Sequence, residues 1–151
     1  MEIFRDAVRP AIPTAQLWMV CTDAPAADGV TVFGTVSTER LADLYRRAWV
    51  FCLPSSYEGF GVPYIEAMAS GTPVVATPNP DAREVLDGGR YGVLAKPEEL
   101  AGSFIKLLTD ANERERLAAL GLERAKMFGW DCIIDQYESL YDQILKRRCV
   151  S

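Results

Sequence analysis

Val50-Phe51-Cys52-Leu53-Pro54-Ser55-Ser56-Tyr57-Glu58-Gly59-Phe60-Gly61-Val62-Pro63-Tyr64-Ile65-Glu66-Ala67-Met68-Ala69-Ser70-Gly71-Thr72-Pro73-Val74-Val75-Ala76 is the stretch that decides the fold. Two apolar runs, residues 49–53 and 73–76, are too short for helices and read as buried strands. Between them a loop with Pro54, Gly59 and Gly61 opens a helix over Val62 to Ser70, which Gly71 and Pro73 end. Strand, loop, helix and strand in this order make a right-handed crossover between parallel strands. Two carboxylates, Glu58 and Glu66, bracket the glycine turn with seven residues between them. In an open α/β sheet a ligand sits at the carboxyl end of such a strand, where the next helix offers its free N–H groups. A group with phosphates at one side and sugar hydroxyls at both ends fits this layout.

The same alternation continues outward. An amphipathic start (Ile3, Phe4, Ala7, Val8) and a Pro10–Pro13 break precede the continuous apolar run Leu17 to Cys21, which reads as a buried parallel strand. A loop over Asp23 to Gly29 leads to a strand at Val30 to Phe33, and Gly34 permits a turn. Thr38 is the expected cap of a helix with Leu41, Leu44, Tyr45 and Ala48 on one face. Beyond residue 76 a Pro-Asn-Pro-Asp turn opens a short helix to Leu86, and Asp87-Gly88-Gly89 turns into a strand over Tyr91 to Leu94. The remainder is helical, with Pro97 at one start, Asn112 or a neighbour at the next, and Trp130 and Asp131 at the last. The expected fold is α/β: a doubly wound, Rossmann-like parallel sheet forming one domain over residues 1–151.

Composition narrows the classes of function. The chain is 49% hydrophobic and 25% charged, as globular domains are. A net charge of −5 argues against broad nucleic-acid binding. No apolar run approaches the ~20 residues of a membrane helix, and no transmembrane segment is expected. The basic Lys146-Arg147-Arg148 ends a helix, where cations suit the negative dipole end. Cys21, Cys52, Cys132 and Cys149 show no metal-ligand spacing, and Cys21 and Cys52 read as small core residues in a reducing cytosol. With no histidine, His-dependent triads and the usual zinc ligand are excluded from this chain. Trp18, Trp49, Tyr57 and Trp130 read as packing residues.

Pro54-Ser55, Glu58-Gly59-Phe60-Gly61, Glu66-Ala67-Met68-Ala69 and Gly71-Thr72-Pro73-Val74-Val75 stand in the order found in the donor-binding segment of retaining GT-B glycosyltransferases, which the chain closely resembles, in particular glycosyltransferase family 4. The likeness extends to Leu44-Tyr45, Glu84-Val85 and Phe128-Gly129-Trp130. It implies the C-terminal half of a GT-B fold, lacking that half's first strand and the Arg and Lys that follow it; neither Arg5 nor Arg9 matches those cations. Without that strand, the Leu17–Cys21 and Val50–Leu53 strands lose their shared neighbour. The resemblance implies retaining transfer of a hexose from an NDP-sugar to an unknown acceptor, with no cofactor and no metal. The expected partners are the nucleotide sugar, the N-terminal acceptor domain or a second copy of the chain, and no nucleic acid. The implied location is cytoplasmic, or peripheral at the inner membrane face in the full-length enzyme.

Carried over position by position, the likeness makes Glu66 the ligand of the ribose hydroxyls and Glu58 the catalytic carboxylate facing the donor sugar. Gly59, Phe60, Gly61 and Val62 would present N–H groups to sugar hydroxyls and phosphate, and Val36 would line the nucleobase, a weaker match. Bare glycine backbone lets a ligand approach closely, although a tight turn alone also explains these glycines, and an exposed helix glutamate alone explains Glu66. The family's post-strand loop carries paired glycines; Thr77-Pro78-Asn79-Pro80-Asp81 replaces them here, and no sugar contact is expected from it. A glycosidase pair of carboxylates fits poorly, since both groups lie on one loop-and-helix unit instead of flanking a bond. A non-catalytic binding module and a sugar-nucleotide epimerase-like domain remain alternatives. The expected last helix, with Ile133, Tyr137, Tyr141 and Ile144, would be unusually apolar on its outer face.

Overall fold

The computed structural model describes residues 1–25 and 27–148. Among the described residues there are five short strands, every pairing is parallel, and helical segments separate the strands from β2 onward. Strands β1 (Leu17–Met19) and β2 (Val30–Val32) form one ladder; β3 (Phe51–Leu53), β4 (Val74–Ala76) and β5 (Val93–Leu94) form another, with β4 in the middle. Phe51 stands opposite Val74 and Leu53 opposite Ala76. No ladder joins β1 to β3 among the described residues, so the sheet is in two pieces and each of these strands keeps an edge without a strand.

The three-stranded piece is wound on both faces. Side chains alternate along β4: Val74 and Ala76 enter one core with Tyr45, Tyr64, Ala67, Met68, Val85 and Leu86, while Val75 enters the other with Leu100, Leu107 and Leu117. The first core is roofed by α2 (Thr38–Arg47), α3 (Val62–Ala69) and α4 (Pro80–Val85); the second by α5 (Leu100–Thr109) and α6 (Ala111–Lys126). Ile3, beside the π-helical turn Phe4–Val8 that runs into α1 (Arg9–Ala11), packs on this second core. Pro10 accounts for the widened turn, since it has no N–H to give and its ring crowds the carbonyl of the preceding turn.

Local signals set most boundaries. Tyr64, Ala67 and Met68, spaced three and four apart, are buried to within 1% and hold α3 against the sheet. The helix stops where Gly71 turns left-handed at φ 76°, with Gly71 N–H donating to Met68 and Thr72 N–H to Ala67. Ser37, not Thr38, caps α2: its hydroxyl accepts the Arg40 N–H at 3.3 Å, and Thr38 is already helical. Asp110 caps α6 in the same way, accepting from Glu113 N–H at 3.0 Å.

Two expectations about packing need correction. Leu17 to Met19 is half-buried and Val20 is exposed, since no residue of β1 joins either core, and Phe51 to Leu53 of β3 are also half-buried, although they pack against the cores. Trp18 packs edge-on against Phe33, but Trp49, Tyr57 and Trp130 are exposed. Trp49 lies under the Arg114 guanidinium at 4.3 Å, a contact that leaves the other ring face in water. Along α7 (Trp130–Arg148), Tyr137, Tyr141 and Ile144 are exposed, together with Ile134, Leu140 and Leu145, so the apolar outer face is present as read from the sequence. The helix reaches Arg148, and Cys149 lies outside the described residues.

Candidate functional site

The loop 54–61 leaves the carboxyl end of β3 and enters α3 through Gly61, whose φ of 82° and ψ of 31° are left-handed. A Cβ at Gly61 would lie 2.7 Å from the Tyr64 ring and 3.4 Å from Val85. The glycine is therefore demanded by the fold itself, as the tight-turn reading of this position has it. Tyr64 N–H turns back to the Gly61 carbonyl at 3.0 Å, and Pro63 brings no donor to the first turn. Among the described residues no protein acceptor takes the amides of Gly59, Phe60, Gly61 and Val62. A run of free N–H groups thus ends on a helix N-terminus, where the helix dipole favours an anion.

Glu66 is exposed one turn further along α3, and the Tyr45 hydroxyl from α2 donates to its Oε2 at 3.3 Å. Burial pushes the Tyr45 phenol well above its usual range, and the Glu66 carboxylate adds to the shift, so Tyr45 stays a donor at neutral pH. Tyr45 is itself fixed by the Phe51 ring at 5.2 Å and by Thr72, whose hydroxyl donates to the Tyr45 carbonyl at 2.6 Å. Glu66 therefore stands on a rigid base with one oxygen left for another donor.

Glu58 is half-buried on the other side of the turn. Its backbone N–H donates to Asp81 Oδ2 at 3.3 Å, from the start of α4. The same loop is held from beneath: Asn79 Nδ2 donates to the Ser55 carbonyl at 3.0 Å and to the Tyr64 hydroxyl at 3.2 Å, and the Thr77 hydroxyl also donates to Ser55. Burial raises the Tyr64 phenol, the Asn79 hydrogen bond opposes that shift, and the Glu58 and Asp81 carboxylates add smaller upward contributions. Phe60 is half-exposed and packs edge-on against Phe128 at 6.1 Å. From Phe60 an open groove of about 660 Å³ runs along α7, lined by Trp130, Ile133, Tyr137 and Leu140.

The sequence-derived site residues thus fall into two groups. Glu58, Gly59, Phe60, Gly61, Val62 and Glu66 share one loop-and-helix unit. Val36 is half-buried in the turn before α2, the helix that carries Tyr45, and no described contact joins it to that unit. Arg5 pairs with Asp6 at 2.6 Å on the surface, and Arg9 pairs with Asp28 and reaches the Ala15 carbonyl at 3.3 Å, so neither reaches the free amides. Sequence reasoning missed Tyr45, Asn79 and Asp81. Asn79 had a signal, since Asn followed by Pro and Asp is a helix start: its Oδ1 caps α4 by accepting Ala82 N–H at 2.7 Å. Among the described residues no cluster of His, Cys, Asp and Glu is arranged to hold a metal, and no helix is long and apolar enough to cross a membrane.

Comparison with known proteins agrees with this architecture. Residues 20–124 match the family model described as glycosyl transferases group 1. An MMP alpha-(1->4)-mannosyltransferase of Mycolicibacterium hassiacum is 36% identical over 93% of this chain, which spans 34% of that relative. A D-inositol 3-phosphate glycosyltransferase of Stackebrandtia nassauensis is 36% identical over 83% of the chain and 29% of its own length. The solved sucrose-phosphate synthase of Thermosynechococcus elongatus superposes with a TM-score of 0.75 at 31% identity, over 96% of this chain and 42% of that one. The chain spans about a third of the curated relatives it matches. Its parallel α/β architecture is that of GT-B glycosyltransferase structures, and the chain belongs to the group 1 glycosyltransferases.

Proposed function

We propose that this chain is the donor-binding part of a retaining hexosyltransferase of glycosyltransferase family 4, the C-terminal half of its GT-B fold. The single observation that carries the reading is the run of free amides at Gly59 to Val62 set between two carboxylates. The amides take the diphosphate and the sugar hydroxyls of an NDP-sugar, Glu66 accepts from the ribose diol, and Glu58 faces the sugar near the reacting carbon. Val36 lines the base. Catalysis on this reading is positioning together with electrostatic stabilisation of the departing nucleotide, without a metal. The cations that neutralise the diphosphate, the acceptor site and a strand fitting between β1 and β3 come from the rest of the enzyme. Its acceptor-binding domain covers the apolar face of α7. The likeness to a named mannosyltransferase and to a D-inositol 3-phosphate glycosyltransferase supports a sugar-transfer role.

Calorimetry of the chain with UDP-, GDP- and ADP-sugars tests the proposal. One of these should bind, and Glu66→Ala should weaken it by about 2 kcal/mol, roughly thirtyfold, because a charged acceptor of two hydrogen bonds is lost. Equal affinity in the variant would remove Glu66 from the site.

A further inference from the structure

The two halves of the site are braced from different directions. Glu66 is held from α2, through the Tyr45 hydroxyl. The loop carrying Glu58 is held from the far side, by the segment that follows β4: Thr77 and Asn79 fasten Ser55, and Asp81 takes the Glu58 amide at 3.3 Å. That segment is a firm base. Asn79 is 5% exposed and caps α4, and the far end of α4 is tied down by Arg124 of α6, which donates to the Val85 and Glu84 carbonyls at 3.0 and 2.9 Å. The braced loop has no regular structure of its own between β3 and α3. Its conformation at Glu58 therefore depends on what holds it, and Asp81 is the side chain that reaches that residue.

We infer that Asp81 is a positioning residue for the sugar side of the site: by holding the Glu58 amide it sets the direction in which the Glu58 side chain leaves the loop. The inference rests on the donor-binding reading above and adds to it a division of labour. Tyr45 and Glu66 set affinity for the nucleotide; Asp81, acting through Glu58, sets what the attached hexose adds. A hydrogen bond to a charged acceptor contributes more than one to a neutral group, and its loss releases the loop at Glu58, which on this reading faces the sugar.

The test compares NDP and NDP-hexose binding by calorimetry, using UDP with UDP-glucose and GDP with GDP-mannose, in the parent chain, Asp81→Ala and Asp81→Asn. In Asp81→Ala the affinity gained from the hexose should fall roughly tenfold while NDP affinity stays within twofold. Asp81→Asn keeps an acceptor oxygen and should restore most of the gain. Amide exchange followed by NMR supplies a readout that needs no ligand: Glu58 N–H should exchange faster in the Ala variant and near the parent rate in the Asn variant. An Ala variant with an unchanged hexose contribution, or one that loses NDP and NDP-hexose affinity equally, overturns the inference while leaving the donor-binding reading in place. A parent chain that binds none of these nucleotides sinks both.

Discussion

The two pieces of the sheet are made from similar sequence and held by different forces. In the three-stranded piece, Val74, Val75 and Ala76 of the central strand are fully buried, β3 and β5 are half-buried against the cores, and packed helices cover both faces. In the two-stranded piece every residue of β1 is half-buried, and Thr31 and Val32 of β2 are exposed. No residue of β1 or β2 belongs to either core cluster among the described residues. Arginines tie this piece to its surroundings instead. Arg47 lies 5.4 Å over Trp18, Arg40 the same distance over Phe33, and Arg9 joins the N-terminal helical turn to Asp28. Core packing is collective and resists local opening; half-exposed cation–π and ion-pair contacts contribute roughly 0.5–1 kcal/mol each. The difference has a functional side, since the amides, both carboxylates and their braces are all carried by the packed piece or by helices seated on it.

The comparison is broken most directly by truncating one apolar side chain in each piece. Leu86→Ala, in the packed core, should cost about 3 kcal/mol in urea unfolding, whereas Met19→Ala should cost less than about 1 kcal/mol. Equal losses would mean that β1 is packed as tightly as the core that Leu86 shares with β4. Gly61→Val comes next in size. A left-handed backbone and a collision with the buried Tyr64 ring should together remove about 2 kcal/mol, seen as a lower urea midpoint without any nucleotide present. A variant as stable as the parent would show that the turn relaxes freely. The smallest effect sharpens the contrast: Arg9→Ala should cost about 1 kcal/mol. It should speed amide exchange in β1 and β2 while leaving β4 protected. Faster exchange in β4 as well would show that the two pieces open together.

Much of the fold was legible because its signals are local. The runs around Cys52 and Val75, the glycine entering α3 and the Gly71 stop all act within a few residues, and the strands and helix formed there. The cap of α2 moved by only one position, to Ser37, because neighbouring Ser and Thr offer the same hydroxyl and only the backbone angles choose between them. The aromatic residues were less legible. Trp49, Tyr57 and Trp130 are large and apolar, but whether such a ring is covered depends on what the tertiary structure places over it. The braces of the site were invisible for a related reason: Tyr45 lies 21 residues from Glu66, and Asp81 lies 23 from Glu58. Pairs that far apart leave no periodic trace.

Sequence alone determined the order of strands and helices, the parallel crossover and the glycine turn between two glutamates, since each follows from hydrophobic spacing, chain stiffness or a missing side chain over short distances. Only the tertiary structure decided that β1 and β3 do not pair, that the apolar run beginning at Leu17 is half-open while the run beginning at Val74 is sealed, and that Tyr45 and Asp81 stand behind the two carboxylates. Those outcomes depend on which distant surfaces meet, and a hydrogen bond or a buried face forms only when both partners have been brought to the same place.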